Sequence, residues 1–320
     1  MKSLLAKPIR AAALLLLLSG AAQAETYPSH PVRFIVPFAP AGPTDVFARL
    51  MAQKLSAKLG QQFYVENQAG AGGNLAMGSG AHAAPDGYSV LFVSTSFTVN
   101  PSLFSKVPYD PYKDFAAVTL AAVSPNILTV HPSIPAQSVK ELIAFLKANP
   151  GKLNMASGGI GTSPHLCGEL FQILTGTKMT HVPYRANFMP DLLSGQVQIS
   201  FDPPAQALPL IRDGRLRAYG VTTAYRIKAL PDVPAIGEVV KGYDAIGWYG
   251  LGAPAKTPPE IIRKLNEAMT AAVTDPKVKE HFDKLGVEPM PLSPEGFKQH
   301  IATEVAKWSK VIETQGIKIS

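Results

Sequence analysis

Loops rich in glycine, proline and small hydroxyls recur between strand-like and helical runs. That order restricts the fold of this 320-residue chain more than any other feature. Residues 32–36 read as a strand, PFAPAGPTD as a loop and residues 46–59 as a helix. Residues 63–66 form a second strand, followed by NQAGAGGN and a short helical segment, and residues 88–93 a third, after the turn PDG. Alternation of this kind implies a parallel sheet flanked by helices. The pattern resumes with strands near 116–123 and 126–131 and a helix opened by Ser138, which has Glu141 at capping-box spacing. A strand near 153–156 leads through a glycine-rich loop into a helix ending near Leu174, and short strands follow near 179–183, 197–201 and 216–221. In the last third, Thr257-Pro258-Pro259-Glu260 starts a helix to about Val273, and Ser293-Pro294-Glu295 another to about Thr314. The chain therefore reads as α/β with two lobes. Residues 25–122 and 246–320 make lobe one and residues 123–245 lobe two, with the two crossings serving as a hinge.

The first residues set the compartment. Lys2, Lys7 and Arg10 precede the apolar run AAALLLLLSG and the small-residue end Ala22-Gln23-Ala24, the pattern of a secretory signal peptide cleaved after Ala24. No later stretch has the roughly 18 apolar residues of a membrane span, and no cysteine near the cleavage point offers a lipid anchor. A freely diffusing periplasmic monomer is expected. Removing the three signal-peptide charges from the formal +7 leaves +4. That excess is scattered, without a basic block interleaved with aromatics, so no nucleic-acid partner is expected. Cys167 is alone and cannot form an internal disulfide; between Leu166 and Leu170 it reads as a small buried helical residue.

The stretch NMASGGIGTSPHL carries the strongest chemical signal. Ordering Gly158, Gly159 and Gly161 costs extra backbone entropy, which a mere connection could avoid. Placed between a strand and a helix start, such a loop leaves backbone N–H groups open at a positive helix end, a geometry that binds anions. Ser157, Thr162 and Ser163 can add hydroxyl donors and His165 a ring donor; alternatively Ser163 merely caps the helix and a neighbour satisfies His165. PFAPAGPTD offers the same device in the other lobe, with Thr44 or Asp45 as N-cap. Both loops fall at the carboxyl ends of strands, where open α/β sheets bind ligands. Asp45 suits a helix cap and loop organiser better than an anion contact, because like charges repel. Tyr184 and Arg185, in HVPYRANF, follow a short strand, and Arg185 can pair with a second acidic group. Asp202, in SFDPP, can accept a hydrogen bond from a ligand or the hinge, or cap a turn. Phe38, Phe97 and Phe188 lie outside periodic core runs and suit a pocket wall, or simple packing.

Enzyme and cofactor readings find less support. A trio of Ser157, His165 and Asp202 can be written, but MASGG is not a G-x-S-x-G elbow. No H-E-x-x-H or paired-cysteine metal pattern occurs, so no metal is expected. AGAGGNL has Leu75 where a dinucleotide fingerprint needs its third glycine, and no G-K-[ST] P-loop exists, so no cofactor is expected. A ligand-binding protein without chemistry is favoured, with an exported Ser/His hydrolase and a ligand sensor as alternatives.

Over essentially the whole mature length, the chain resembles the Bug-type solute-binding proteins of tripartite tricarboxylate transporters. The matching pieces are YPSHPVRFIVPFAPAGPTD, VENQAGAGGN, APDGY, NPSLF with PYDPYKDF, ASGGIGTSPHL, HVPY, DLLSGQVQISFD, LPDVPAIGE and WYGLGAP. The resemblance implies a two-lobed periplasmic-binding-protein fold of type II, a Venus flytrap, each lobe a mostly parallel sheet flanked by helices. It also implies a small carboxylate as ligand and the large and small membrane subunits of such a transporter as partners. By the same resemblance, the segments 37–45 and 157–165 act as pincers on a carboxylate. Phe38, Ala41, Gly42, Thr44 and Asp45 are then expected from lobe one, and Ser157, Gly161, Thr162, His165, Tyr184, Arg185, Phe188 and Asp202 from lobe two or its edge. Two departures stand out. Ala41-Gly42-Pro43 replaces a glycine triplet, removing an N–H donor at Pro43, and YRANFMPD is shorter and bulkier than the family's Y-K-G-G-x-P-A-L. Arg185 and Phe188 in that altered segment suggest an aromatic acid or a dicarboxylate, with Arg185 anchoring its second acid group.

Overall fold

The computed structural model describes residues 27–184 and 187–319. The signal-peptide expectation and Arg185 lie outside them.

Four strands come first: β1 (Val32–Val36), β2 (Phe63–Asn67), β3 (Ser89–Ser94) and β4 (Phe115–Ser124). Five more follow, β5 (Ile127–Val130), β6 (Asn154–Ser157), β7 (Thr180–Pro183), β8 (Ile199–Asp202) and β9 (Arg217–Val221), and then β10 (Gly247–Pro254) and β11 (Glu288–Pro289). They form two sheets, in the orders β11-β4-β10-β3-β1-β2 and β7-β6-β8-β5-β9. The parallel pairing expected from strand–loop–helix units holds for β1 with β2 and β3, and for β6 with β7 and β8. Each sheet is nonetheless mixed. Strands β4, β10 and β11 in one, and β5 and β9 in the other, join as antiparallel partners. The reason is the path of the chain, which leaves the first sheet on β4 and returns on β10.

The helices are α1 (Pro43–Leu59), α2 (Asn74–Ala81), α3 (Thr95–Leu103), α4 (Val139–Ala148), α5 (Ser163–Thr175), α6 (Met189–Ser194) and α7 (Pro204–Arg212), then α8 (Pro259–Thr274), α9 (Pro276–Leu285) and α10 (Pro294–Gln315). Seven of them, α1 and α5 to α10, carry proline in the first turn, where its missing N–H has no helical partner to lose. On one face of the first sheet, Phe47, Met51 and Leu55 of α1 meet Leu265 and Met269 of α8 over Phe34, Phe92 and Leu251. Burying each such side chain stabilises the fold by about 1.5 to 3 kcal/mol.

The last helix spans both lobes. Phe297 and Ile301 join a cluster with Val93 and Leu120 of the first sheet, while Trp308, Val311 and Ile312 join Leu166, Phe171 and Phe201 of the second lobe. Midway along it Glu304, 2% exposed, accepts the indole N–H of Trp308 at 2.8 Å and that of Trp248, on β10, at 3.2 Å. Lys307 Nζ lies 2.5 Å from the same carboxylate. Among the described residues no helix is long and apolar enough to cross a membrane.

Candidate functional site

A cleft of about 1070 Å³ lies where the carboxyl ends of strands from both sheets meet. Two helix N-termini face it. Gly42 and Thr44 at the start of α1, and Thr162, Ser163 and Pro164 at the start of α5, line it. Neither helix is capped by its own side chain, so first-turn N–H groups remain free for a ligand. Thr162 stands at the N-cap position of α5, but its hydroxyl donates to Gly159 O at 2.7 Å. The expected N-cap of α1, Thr44 or Asp45, is corrected: Gly42 is the N-cap and the helix begins at Pro43, because proline is suited to the first helical position.

Asp45 instead organises the first loop from behind. Its carboxylate accepts Ala41 N–H at 2.9 Å, Arg49 Nε at 2.9 Å and Asn67 Nδ2 at 2.8 Å. Burial pushes its pKa up, but the bonds from Arg49, Asn67 and Ala41 together hold it below the ordinary range. Ala41 has φ 64°, a left-handed conformation that costs a non-glycine residue about 1 kcal/mol, and its N–H is consumed by Asp45. Ala41 does not line the cleft, whereas Phe38, Ala39, Pro40 and Gly42 do.

On the second lobe, Gly158, Ile160, Gly161 and Thr162 line the cleft, but Ser157 and His165 sit behind it. Ser157 is fully buried; its Oγ lies 2.7 Å from His181 Nε2 and accepts Gly159 N–H at 3.1 Å. His165 Nδ1 accepts Gly161 N–H at 3.1 Å. Tyr184 donates its hydroxyl to Asp191 at 2.6 Å, a bond that raises its pKa to about 12, and its ring lies 5.8 Å from that of Phe188. Phe188 lines the cleft with Asn187 and Met189. Phe97, expected in a loop, lies on α3 and is 1% exposed, stacked on Tyr109 in the core.

Asp202 is fully buried and accepts hydroxyl hydrogen bonds from Ser200, at 2.5 Å, and Thr129, while its Oδ1 has no partner. Burial pushes its carboxyl up to about 6 despite those two hydroxyls. A folded pKa above the unfolded one means stability is greatest in acid and falls as pH rises from about 4 through about 6. Wild type is therefore expected to lose about 2 to 3 kcal/mol relative to Asp202→Asn between about pH 4 and about pH 7. Urea unfolding of both proteins at the two pH values checks this, and parallel pH profiles would refute it.

Several lining residues escaped the sequence reading. Ser94 ends β3 and Thr95, Ser96 and Asn100 follow it on α3, and their signal was the run STS at a strand's carboxyl end. Asn126 and Trp248 come from the two chain crossings. There, Asn126 Nδ2 donates to Ser163 Oγ at 2.9 Å and Cys167 Sγ at 3.5 Å, and Cys167 Sγ donates to Ala245 O at 3.5 Å. Burial pushes the Cys167 thiol up to about 12. Among the described lining residues none carries a charged side chain. Among all described residues no group of three His, Cys, Asp or Glu could hold a metal. The arrangement offers neutral donors and two positive helix ends to an anion, and Phe38, Phe104, Ile160 and Phe188 to an apolar body.

A two-lobed α/β receptor with such a cleft defines the class of periplasmic solute-binding proteins. The sequence pattern of the TctC family, described as the tripartite tricarboxylate transporter family receptor, matches residues 47–317, and the chain belongs to that family. It is 36% identical to the protein BugT of Bordetella pertussis strain Tohama I over 303 residues, covering 92% of each chain. Among solved structures, R. palustris Rpa4515 with adipate superposes with a TM-score of 0.81 at 35% identity, covering 92% of this chain and all of that one. MatC (Rpa3494) from Rhodopseudomonas palustris with bound malate does so with 0.76 at 32% identity, covering 89% of this chain and all of that one. The family is one of receptors, not enzymes. The hydrolase alternative is corrected accordingly: the trio is not assembled, because Ser157 is buried against His181 and Asp202 is bonded to Ser200 and Thr129.

Proposed function

We propose that the protein captures an aromatic acid or a dicarboxylate in the periplasm and delivers it to the large and small membrane subunits of a tripartite tricarboxylate transporter. The observation that carries this reading is the pair of helix N-termini without side-chain caps on opposite sides of one cleft. A carboxylate held there gains about 1.5 to 3 kcal/mol per charge-assisted hydrogen bond, against only about 0.3 to 1 from each helix end. The hydrogen bonds dominate, so the grip needs no arginine at that end. The aromatic walls then select the ligand's body, and Arg185 anchors a second acid group. Adipate and malate in the two related structures support a carboxylate. Cleavage after Ala24 releases a monomer whose lobes, residues 25–122 with 246–320 and residues 123–245, close about the two crossings.

The test is a thermal-shift screen of refolded mature protein with adipate, malate, benzoate and phthalate beside their amides or esters. A bound acid at a hundred times its dissociation constant adds about 2.7 kcal/mol, hence about 5 to 10 °C. The shift is expected with an acid and lost with its neutral analogue. Equal shifts from both would refute the carboxylate grip, and unchanged dicarboxylate affinity in Arg185→Ala would refute the second anchor.

A further inference from the structure

Behind the glycine-rich pincer lies a row of side chains that capture itself does not use. His165 is 3% exposed, and because its Nδ1 accepts Gly161 N–H, the ring proton is on Nε2, which lies 3.4 Å from Glu169 Oε1. Its ring stacks on His181 at 3.9 Å with an interplanar angle of 25°. His181 in turn meets Ser157 Oγ, which accepts Gly159 N–H. Two of the loop's glycine N–H groups are thus drawn inward by side chains. Both glycines have positive φ, 126° at Gly159 and 80° at Gly161. A peptide whose N–H is pinned inward in this conformation fixes where its neighbours' N–H and hydroxyl groups point.

We infer that His165 is a positioning residue: as an acceptor at Nδ1 it holds the left-handed turn at Gly161, and through that turn it aims the donors at the start of α5 into the cleft. The inference rests on the capture reading. Glu169 keeps the ring in the tautomer required, since a proton on Nδ1 would face the Gly161 N–H, donor against donor. His181 supports the same state. Burial, together with its neighbour His165, lowers its pKa to about 3, so it stacks as a neutral ring.

The test separates the acceptor from the bulk. In His165→Asn the amide oxygen can occupy the place of Nδ1, whereas in His165→Gln the amide reaches the place of Nε2 and leaves Gly161 N–H unpaired. Affinity for adipate, malate, benzoate and phthalate is expected to stay within about threefold in the Asn variant and to fall about ten- to a hundredfold in the Gln variant. Exchange of the Gly161 amide, followed by NMR without ligand, is expected to quicken about tenfold or more in the Gln variant alone. Equal affinity losses in the two variants would mean that His165 only fills space, and the inference falls. Unchanged Gly161 exchange in the Gln variant overturns the tether itself. Failure of all four acids to bind the wild-type protein overturns the capture reading instead.

Discussion

Gly161→Ala is expected to weaken carboxylate capture at least about a hundredfold and to abolish the ligand-induced thermal shift. Two effects combine. The residue has φ 80°, so any side chain there costs about 1 kcal/mol of backbone strain. A Cβ would also stand 2.5 Å from Leu103 Cδ2. Leu103 ends α3 and is 1% exposed within the cluster that α10 and the second lobe share, so it cannot swing aside without opening a cavity. Overpacking of this kind costs about 1 to 3 kcal/mol, relieved most cheaply by moving the pincer away from α3. The cleft would then be held ajar and its donors misaimed. Calorimetric titration with the acid panel checks the prediction; wild-type affinity in the variant would show that this contact does not shape the bound state.

Glu304→Ala is expected to destabilise the protein by about 3 to 5 kcal/mol, lowering Tm by about 10 °C. The carboxylate is the acceptor for Trp248 and Trp308 and the partner of Lys307. Truncation leaves two buried indole N–H groups unpaired, at about 1 to 3 kcal/mol each. Glu304→Gln retains an oxygen in nearly the same place and is expected to lose only about 1 to 2 kcal/mol. Differential scanning calorimetry of the two variants measures the contrast. Equal losses would locate the effect in the charge and Lys307 rather than in the indole bonds.

How much of this was legible beforehand depended on whether the signal was local. The starts of α8 and α10 were readable because a cap-forming or proline residue precedes a 3.6-residue apolar period. Ser293 Oγ does accept Gly296 N–H, at 3.1 Å. Strand β10 was invisible because GWYGLGAP reads as a loop. Its glycine at 250 is there for a tertiary reason, since a Cβ would lie 2.4 Å from Phe297 of α10. Helix α3 was hidden by Pro101 and by weak amphipathicity, and α9 by its charge-rich sequence PKVKEHFDKL. In the site, the two loops that line the cleft at the starts of α1 and α5 were readable from glycine content beside a helix start. The inward turn of Ser157, Ala41 and His165 was not, because the direction of a side chain or N–H in an irregular loop is set by partners distant in sequence. His181 lies 24 residues from Ser157 yet bonds it. Asn126 and Trp248 reach the cleft only because the chain crosses between lobes there.

The shared carboxylate beneath the two indoles also has an optical consequence. The chain has two tryptophans, and both donate to Glu304. One lines the cleft beside the returning crossing, and the other is packed against the second lobe. Emission from this protein therefore arises from a single small neighbourhood where cleft, crossing and last helix meet. A shift in its wavelength reports the electrostatics and water content of that neighbourhood, so the molecule carries its own optical probe of the cleft and needs no attached dye.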